Sequence, residues 1–300
     1  MSINETNKNT SIKKFDFTKI VADLQEKYKK DDRLCNKFSL GSDLKVLEEK
    51  DYIKLGEWWT KSTGLFGVPL NRLTLIAGDE DSGKTSFCIQ AIKAAQEQGV
   101  GVLLCDTEGK TTKKDFECWG VDPDQIMTIQ SRIAEEAFKA TAEAIEGFTK
   151  DYPDTPLLVI IDSLGNVLSQ RDAEMDLVED SSAPGGHGRS NRQGLNRLIA
   201  MNSVNNKIAL VLISYTYDNI GSVGKTTAGG KALRLFASLH YQTSRKGWYD
   251  RTEKGVKIRA GADVVWKMQK NHINKEAPGA KEIVFRITKD GMNLVEAKVD

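Results

Sequence analysis

The sequence predicts an α/β fold: a mostly parallel twisted sheet with helices on both faces, preceded by a small N-terminal helical arm. Three observations predict it. Gly78-Asp79-Glu80-Asp81-Ser82-Gly83-Lys84-Thr85 has the form G-x-x-x-x-G-K-T and sits between an apolar run and a helical stretch. Short unbroken apolar runs then alternate with helix-length amphipathic stretches, the order that places helices across a parallel sheet. The last strand candidates follow one another without an intervening helix, which adds an antiparallel extension.

In chain order, Met1 to Lys14 is rich in Asn, Thr, Ser and Lys and reads as a mobile tail. Asp16 to Lys30 has helical spacing, with Phe17, Ile20, Val21, Leu24 and Tyr28 on one face. That face needs a partner, either the chain's own core or a neighbouring subunit, and the spacing does not choose between them. Residues 1–50 are read as a mobile tail and a helical arm, and 51–300 as the core. A weak strand signal falls near Phe38 and Leu40. Trp58 and Trp59 are expected to pack where the N-terminal part meets the core.

Gly64 to Pro69 reads as a turn leading into the strand Leu73-Thr74-Leu75-Ile76-Ala77. Phe87 to Ala95 is helix-compatible and Gly99 stops it. Val100 to Cys105 is the next buried strand, ending in Asp106-Thr107-Glu108. Thr111 to Trp119 reads as a helix ended by Gly120, and Ile126 to Ile129 as a short strand. Ser131 caps a helix with the stripe Ile133, Ala137, Thr141, Ala144, Ile145 and Phe148. Leu157 to Ile161 is the cleanest central strand and delivers Asp162-Ser163.

Two polar stretches follow central strands: Ser169 to Ser190, and Tyr215 to Lys231 beyond the strand Lys207 to Ser214. Loops of that length inside a domain are functional or disordered. Gly224-Lys225-Thr226 is not a second phosphate loop, because Asn219 stands where the first glycine would be. Leu239 to Arg245, Ala262 to Gln269 and Glu282 to Thr288 complete the strand candidates.

Composition sets the outer limits. A chain of 300 residues with 39% hydrophobic and 28% charged content suits one large soluble domain with a smaller appendage. A formal net charge of +1 supplies no bulk basic field, so polynucleotide binding would have to come from local patches. Cys35, Cys88, Cys105 and Cys118 make no C-x-x-C pair or zinc spacing and read as free thiols in a reducing compartment. The polar start is no secretory signal, and no apolar run approaches the ~20 residues a membrane helix needs. No membrane contact and a cytoplasmic location are the expectation.

The chemistry concentrates at the strand ends. The two glycines of the loop let successive N–H groups face one concavity, where phosphate oxygens fit against the start of a helix. Lys84 is placed to reach β- and γ-phosphates, and Thr85 offers a hydroxyl to Mg²⁺. Asp79, Glu80, Asp81, Ser82 and Ser86 complete the ATP-binding loop. Asp162, directly after the apolar run Leu157 to Ile161, suits the metal's water shell. Glu108 sits where a carboxylate aligns water on the γ-phosphate. Arg189, Arg192 and Arg197 after the first polar stretch, with Lys225, Thr226, Gly229, Gly230 and Lys231 in the second, suit a nucleic-acid backbone or a solvated loop.

With these residues in place the sequence resembles the RecA-type recombinases, phage members included. The resemblance runs through Gly78 to Thr85, Leu104 to Glu108, Trp119 to Pro123, Ile160 to Asn166, Thr226 to Leu233, Phe236 to Ser238 and Lys270-Asn271, from about Lys54 onward. It implies a P-loop ATPase using ATP and Mg²⁺, in a helical filament on single-stranded DNA that pairs with homologous duplex DNA and exchanges strands. It implies that the helix within residues 1–50 is an oligomerisation arm on an ATPase core of residues 51–300, that Glu108 orients the attacking water, that Glu174 to Ser190 and Tyr217 to Gly230 are DNA loops, and that a neighbour's Lys270 completes the ATP site.

Departures from the family pattern accompany it. His272 stands where a second trans lysine is common and is only partly charged at neutral pH. Tyr215 replaces a γ-phosphate-sensing carboxamide or histidine, and Asp115 replaces an adenine-stacking tyrosine beside Phe116. A C-terminal domain for handling duplex DNA is expected to be missing. A ring helicase on the same core, or an assembly mediator with little hydrolysis, stands as the alternative.

Overall fold

The computed structural model describes residues 15–31, 34, 37–44, 46–165, 167–174, 186–205, 207–218, 225–274 and 282–298. The chain divides into two compact units, Met1–Val46 and Leu47–Asp300.

In the first unit, α1 (Thr18–Lys27) starts where Asp16 Oδ1 accepts from the Thr18 amide at 2.9 Å. No residue of α1 is fully buried: Phe17 and Ile20 are both 55% exposed, while Val21 and Leu24 are half-buried. The Phe38 region is not a strand. Its ring stacks on Tyr28 at 5.5 Å, and its carbonyl accepts from Gln25 at 2.8 Å.

The second unit opens with β1 (Tyr52–Lys54), α2 (Glu57–Thr63) and β2 (Gly67–Pro69). Of the segment read as a turn, Gly64 to Phe66 turns, with Gly64 at φ 71°, and Gly67–Pro69 is a strand paired antiparallel with β1. Then follow β3 (Arg72–Gly78), α3 (Lys84–Glu97), β4 (Gly101–Asp106), α4 (Lys113–Glu117), β5 (Met127–Ile129), α5 (Ala134–Asp151) and β6 (Leu157–Asp162). After them come α6 (Gln170–Glu174), α7 (Gly186–Asn205), β7 (Ile208–Asp218), β8 (Lys225–Thr227) and α8 (Lys231–Phe236). The chain closes with β9 (Leu239–Glu253), β10 (Val256–Asn271), β11 (Glu282–Thr288) and β12 (Gly291–Lys298).

The main sheet has the order β12-β11-β10-β9-β3-β7-β6-β4-β5, with β8 attached to β7. Strands β9, β3, β7, β6, β4 and β5 run parallel, and β10 to β12 form the antiparallel extension.

The period-2 alternation of a strand decides which face each residue serves. Ala209, Val211 and Ile213 of β7 join a core with Phe87 and Ile92 of α3. Ile208, Leu210 and Leu212 join the opposite core, with Phe138 and Ile145 of α5 and Leu195 and Leu198 of α7. Both faces of the central strands are therefore buried, which is why those strands are continuously apolar. Trp59 is 1% exposed, stacks on Phe285 at 6.1 Å and meets Trp266 edge-on at 6.0 Å. Burial of such a ring contributes roughly 2–3 kcal/mol beyond leaving it in water.

Several boundaries differ from the expected ones. Ser131 does not cap α5 directly; its Oγ accepts from the Ile133 amide at 3.1 Å and donates to Glu136 at 2.8 Å, and the N-cap is Ile133. Phe138 and Ala142 are buried on α5, whereas Ala144 and Phe148 are only partly buried. β9 and β10 run well past Arg245 and start before Ala262, because their hairpin is held by backbone pairing and carries no apolar stripe. β12 was not anticipated, because its apolar alternation is short: Met292 and Leu294 meet the core, followed by mostly exposed residues. Among the described residues no helix is long and apolar enough to cross a membrane.

Candidate functional site

The phosphate loop joins β3 to α3 at the carboxyl edge of the parallel strands, where sheets of this kind place ligands. Gly78 lies in register with Tyr215 on one side and Thr243 on the other. A Cβ there would stand 2.0 Å from Thr243 Oγ1, so the close approach of β9 admits only glycine. Gly83 turns the loop into the helix at φ 84°. Ser82 Oγ donates to the Asp79 carbonyl at 2.7 Å and meets Thr243 Oγ1 at 2.6 Å, and Arg245 pairs with Asp81 at 3.0 Å.

Lys84 is folded back into this loop. Its Nζ donates to the Gly78 carbonyl at 3.0 Å and the Asp79 carbonyl at 2.5 Å, and lies 4.6 Å from the Tyr215 ring centre. Burial lowers its pKa, opposed by the carboxylates of Asp162 and Asp79. It also reaches Ser82 Oγ at 3.4 Å, and an ammonium held by neutral oxygens and a ring is available to phosphate oxygens.

Thr85 Oγ1 donates to Asp162 Oδ2 at 2.8 Å. Burial pushes the Asp162 carboxyl up to about 6, with the Thr85 bond opposing and Glu108 and Asp106 adding repulsion. Among the described residues no group of three or more His, Cys, Asp and Glu could hold a metal alone. The hydroxyl and buried carboxylate fit a hard cation that keeps its waters and shares phosphate oxygens, the usual condition of Mg²⁺.

Glu108 is positioned by its neighbours in sequence. Asp106 accepts from the amides of Glu108, Gly109 and Thr111 at 3.1, 2.8 and 3.0 Å, which fixes the turn after β4. Thr107 Oγ1 donates to the Ser163 carbonyl at 2.6 Å, locking that turn to the end of β6. Glu108 Oε1 then accepts from Ser163 Oγ at 2.8 Å and Tyr215 Oη at 2.6 Å, and Oε2 pairs with Lys110 at 2.6 Å. Burial would raise its pKa, but the bonds from Lys110, Tyr215 and Ser163 outweigh it and hold it below the usual carboxylate range. Tyr215 is raised, by burial and then by Glu108.

Sequence reasoning did not single out Asp106, Thr107, Lys110 or Ser163. Only the D-x-E and D-S patterns around them signalled their place. Two adjoining cavities, of about 260 and 230 Å³, share Thr85, Ser86, Glu108, Lys110 and Asp162. Glu80, Asp81, Ser82, Gly83 and Tyr215 line the second. Asp115 lines the first and also accepts from the Thr112 amide at 2.8 Å, capping α4. Phe116 is 5% exposed in the core and does not replace an adenine-stacking ring.

Other predicted residues lie apart from the loop. Lys270 Nζ donates to the Arg234 and Leu235 carbonyls at 3.0 and 3.2 Å, at the end of α8. The His272 amide bonds the Ser238 carbonyl at 2.9 Å, and its side chain is exposed. Lys270 lines a separate cavity of about 780 Å³ with Arg192, Lys225, Lys231 and Arg234. Arg189 is exposed on α7, while Arg197 pairs with Glu146 of α5 at 3.4 Å. Gly229 has a packing duty: its carbonyl accepts from Asn191 at 3.1 Å, and a Cβ would stand 2.9 Å from the Leu164 carbonyl. The second polar stretch is partly strand, since Tyr217 pairs with Thr226 and Asp218 with Lys225. Residues 175–185 and 219–224, within the two expected loops, lie outside the described residues.

A glycine-framed loop with a buried lysine, a hydroxyl–carboxylate pair beside it and a strand-end glutamate define a phosphate-loop protein of the α/β class. A family model described as the RecA N-terminal domain matches residues 46–291, and the chain belongs to the RecA family. It is 29% identical over 227 residues to Protein RecA of Fusobacterium nucleatum subsp. nucleatum, covering 75% of this chain and 56% of that protein. To Protein RecA of Chloroherpeton thalassium it is 28% identical over 229 residues, covering 75% and 59%. To Protein RecA of Aquifex pyrophilus it is 29% identical over 229 residues, covering 75% and 61%. The chain thus spans less than two thirds of the length of these relatives.

Proposed function

We propose that the protein is a DNA-dependent ATPase of the recombinase kind. It assembles on single-stranded DNA as an ATP-bound filament and promotes pairing and strand exchange with homologous duplex. The observation that carries this reading is the bond between Glu108 and Tyr215. It joins the carboxylate at the triphosphate cavity to the strand that leads into the β7–β8 hairpin. A γ-phosphate arriving at one end of that bond would be felt at the other.

In the proposed step, Lys84 exchanges the Gly78 and Asp79 carbonyls for β- and γ-phosphate oxygens. A water oriented by Glu108 attacks the γ-phosphorus, the bond to the β–γ bridging oxygen breaks, and ADP and phosphate leave. Mg²⁺, held through Thr85 and Asp162, would withdraw charge from the same phosphate oxygens. Lys270 faces away from its own phosphate loop and suits a neighbouring copy's triphosphate, so the filament interface completes the site.

Arg192, Lys225 and Lys231 in the basic cavity supply contacts to a polynucleotide backbone. The test is ATP hydrolysis with and without single-stranded DNA, with electron microscopy in an ATP analogue. DNA-stimulated turnover and helical filaments are expected. Closed rings that unwind duplex would replace this reading with the helicase one, and filaments without turnover with a mediator.

A further inference from the structure

The second position of the phosphate loop makes a contact that the motif does not call for. Asp79 Oδ1 accepts from Lys225 Nζ of β8 at 2.5 Å and from Thr216 Oγ1 of β7 at 2.9 Å. The main chain of the same residue holds the loop together. Its carbonyl accepts from Lys84 Nζ and Ser82 Oγ, and its amide donates to the Thr243 carbonyl at 3.3 Å. One residue therefore touches both the lysine that must move onto a triphosphate and a lysine that lines the basic cavity.

Phosphate binding does not favour an acid at this position. A carboxylate beside the loop adds negative charge where triphosphate charge must collect, so its presence asks for another use. Its partner suggests one. Lys225 lines the basic cavity with Arg192, Lys231, Arg234 and Lys270, and among the described residues no carboxylate lines that cavity. Carboxylate and phosphate oxygens offer an ammonium the same charge-assisted bond. The pair is about one-third exposed on each side, 34% for Lys225 and 35% for Asp79, so an incoming anion can compete for it.

We propose that Asp79 stands in for a polynucleotide phosphate. It holds Lys225 in reserve in the nucleotide-free protein and releases it to the DNA backbone when Lys84 leaves the Asp79 carbonyl. This rests on the reading of the chain as a DNA-binding ATPase and names the residue pair through which its two sites would communicate.

Asp79→Asn keeps the shape and the main-chain bonds while removing the charge. The experiment measures binding of a labelled oligo-dT by fluorescence anisotropy. The wild type, D79N, K225Q and the double variant are each assayed without nucleotide and with a non-hydrolysable ATP analogue. D79N is expected to bind the nucleotide-free oligonucleotide about three- to tenfold tighter, the size of a partly screened ion pair. The gap between nucleotide-free and analogue-bound affinities should narrow, and D79N should add nothing in the K225Q background. A D79N affinity equal to wild type in both states, or a gain that survives K225Q, overturns the proposal alone. A wild type that binds no oligonucleotide in either state overturns the functional reading and this proposal with it.

Discussion

Removing the Tyr215 hydroxyl tests the coupling most directly. Tyr215 Oη donates to Glu108 Oε1 at 2.6 Å, and the ring of the same residue packs against Lys84 Nζ at 4.6 Å. Tyr215→Phe deletes the first contact and keeps the second. A hydrogen bond to a charged group contributes about 1.5–3 kcal/mol. The Tyr215 side chain is half-buried, so the lower end of that range applies, about 1.5 kcal/mol. At 1.36 kcal/mol per decade, kcat should fall about tenfold.

Glu108 retains Ser163 and Lys110 as partners, so it stays in place but less rigidly. Because the Lys84 contact survives, KM for ATP should stay within about twofold of wild type. Tyr215→Ala, which loses both contacts, should raise KM as well. The assay is steady-state ATP hydrolysis over a range of ATP, with and without single-stranded DNA. An unchanged kcat with intact DNA stimulation in Y215F would refute the reasoning. So would a rise in KM at constant kcat, since that outcome makes Tyr215 a nucleotide-binding residue and nothing more.

Other outcomes follow from the same geometry. Lys84→Ala should abolish hydrolysis, read as phosphate release, and wild-type turnover in it would contradict the loop assignment. Glu108→Gln should keep nucleotide binding in a fluorescent-analogue titration while turnover falls by about two orders of magnitude, the range of general-base loss. His240 is 8% exposed; burial, then Arg234 and Lys270, push its imidazole down to about 4. The folded pKa lies below the unfolded value of 6.5, so this contribution is complete above pH 6.5 and is lost as pH falls toward 4. Urea midpoints should show about 1–2 kcal/mol lost between pH 7.5 and 5, and a flatter profile in His240→Gln. Gly229→Ala forces a Cβ against the Leu164 carbonyl at φ 81° and should cost at least ~1 kcal/mol in a melting experiment, whether or not DNA is present.

The phosphate loop and the central strands were legible in the chain, and so was the placing of Lys84, Thr85, Glu108 and Asp162 around the ends of those strands. Their signals are local: glycine at fixed spacing, unbroken apolar runs, and polar residues where those runs stop. The same locality explains what was misread. The outer parts of β9 and β10 are held by backbone pairing with mostly exposed side chains, so no hydrophobic period marks them, and β12 shows only a short one, with Met292 and Leu294 on the core. Gly229 carried no sign of its duty at the Leu164 carbonyl, because that neighbour arrives from β6 across the fold.

The partners of the site residues belong to tertiary structure alone. Glu108 is flanked by Ser163 from the end of β6 and Tyr215 from β7, and Asp79 by Lys225 from beyond β7. These residues lie 55, 107 and 146 positions apart in the chain and become neighbours because β3, β7, β6 and β4 end at one edge of the sheet, to which β8 folds back along β7. Residue type and spacing decide which groups are able to do chemistry. Strand order decides which of them meet, since a hydrogen bond acts over about 3 Å and takes no account of separation along the chain.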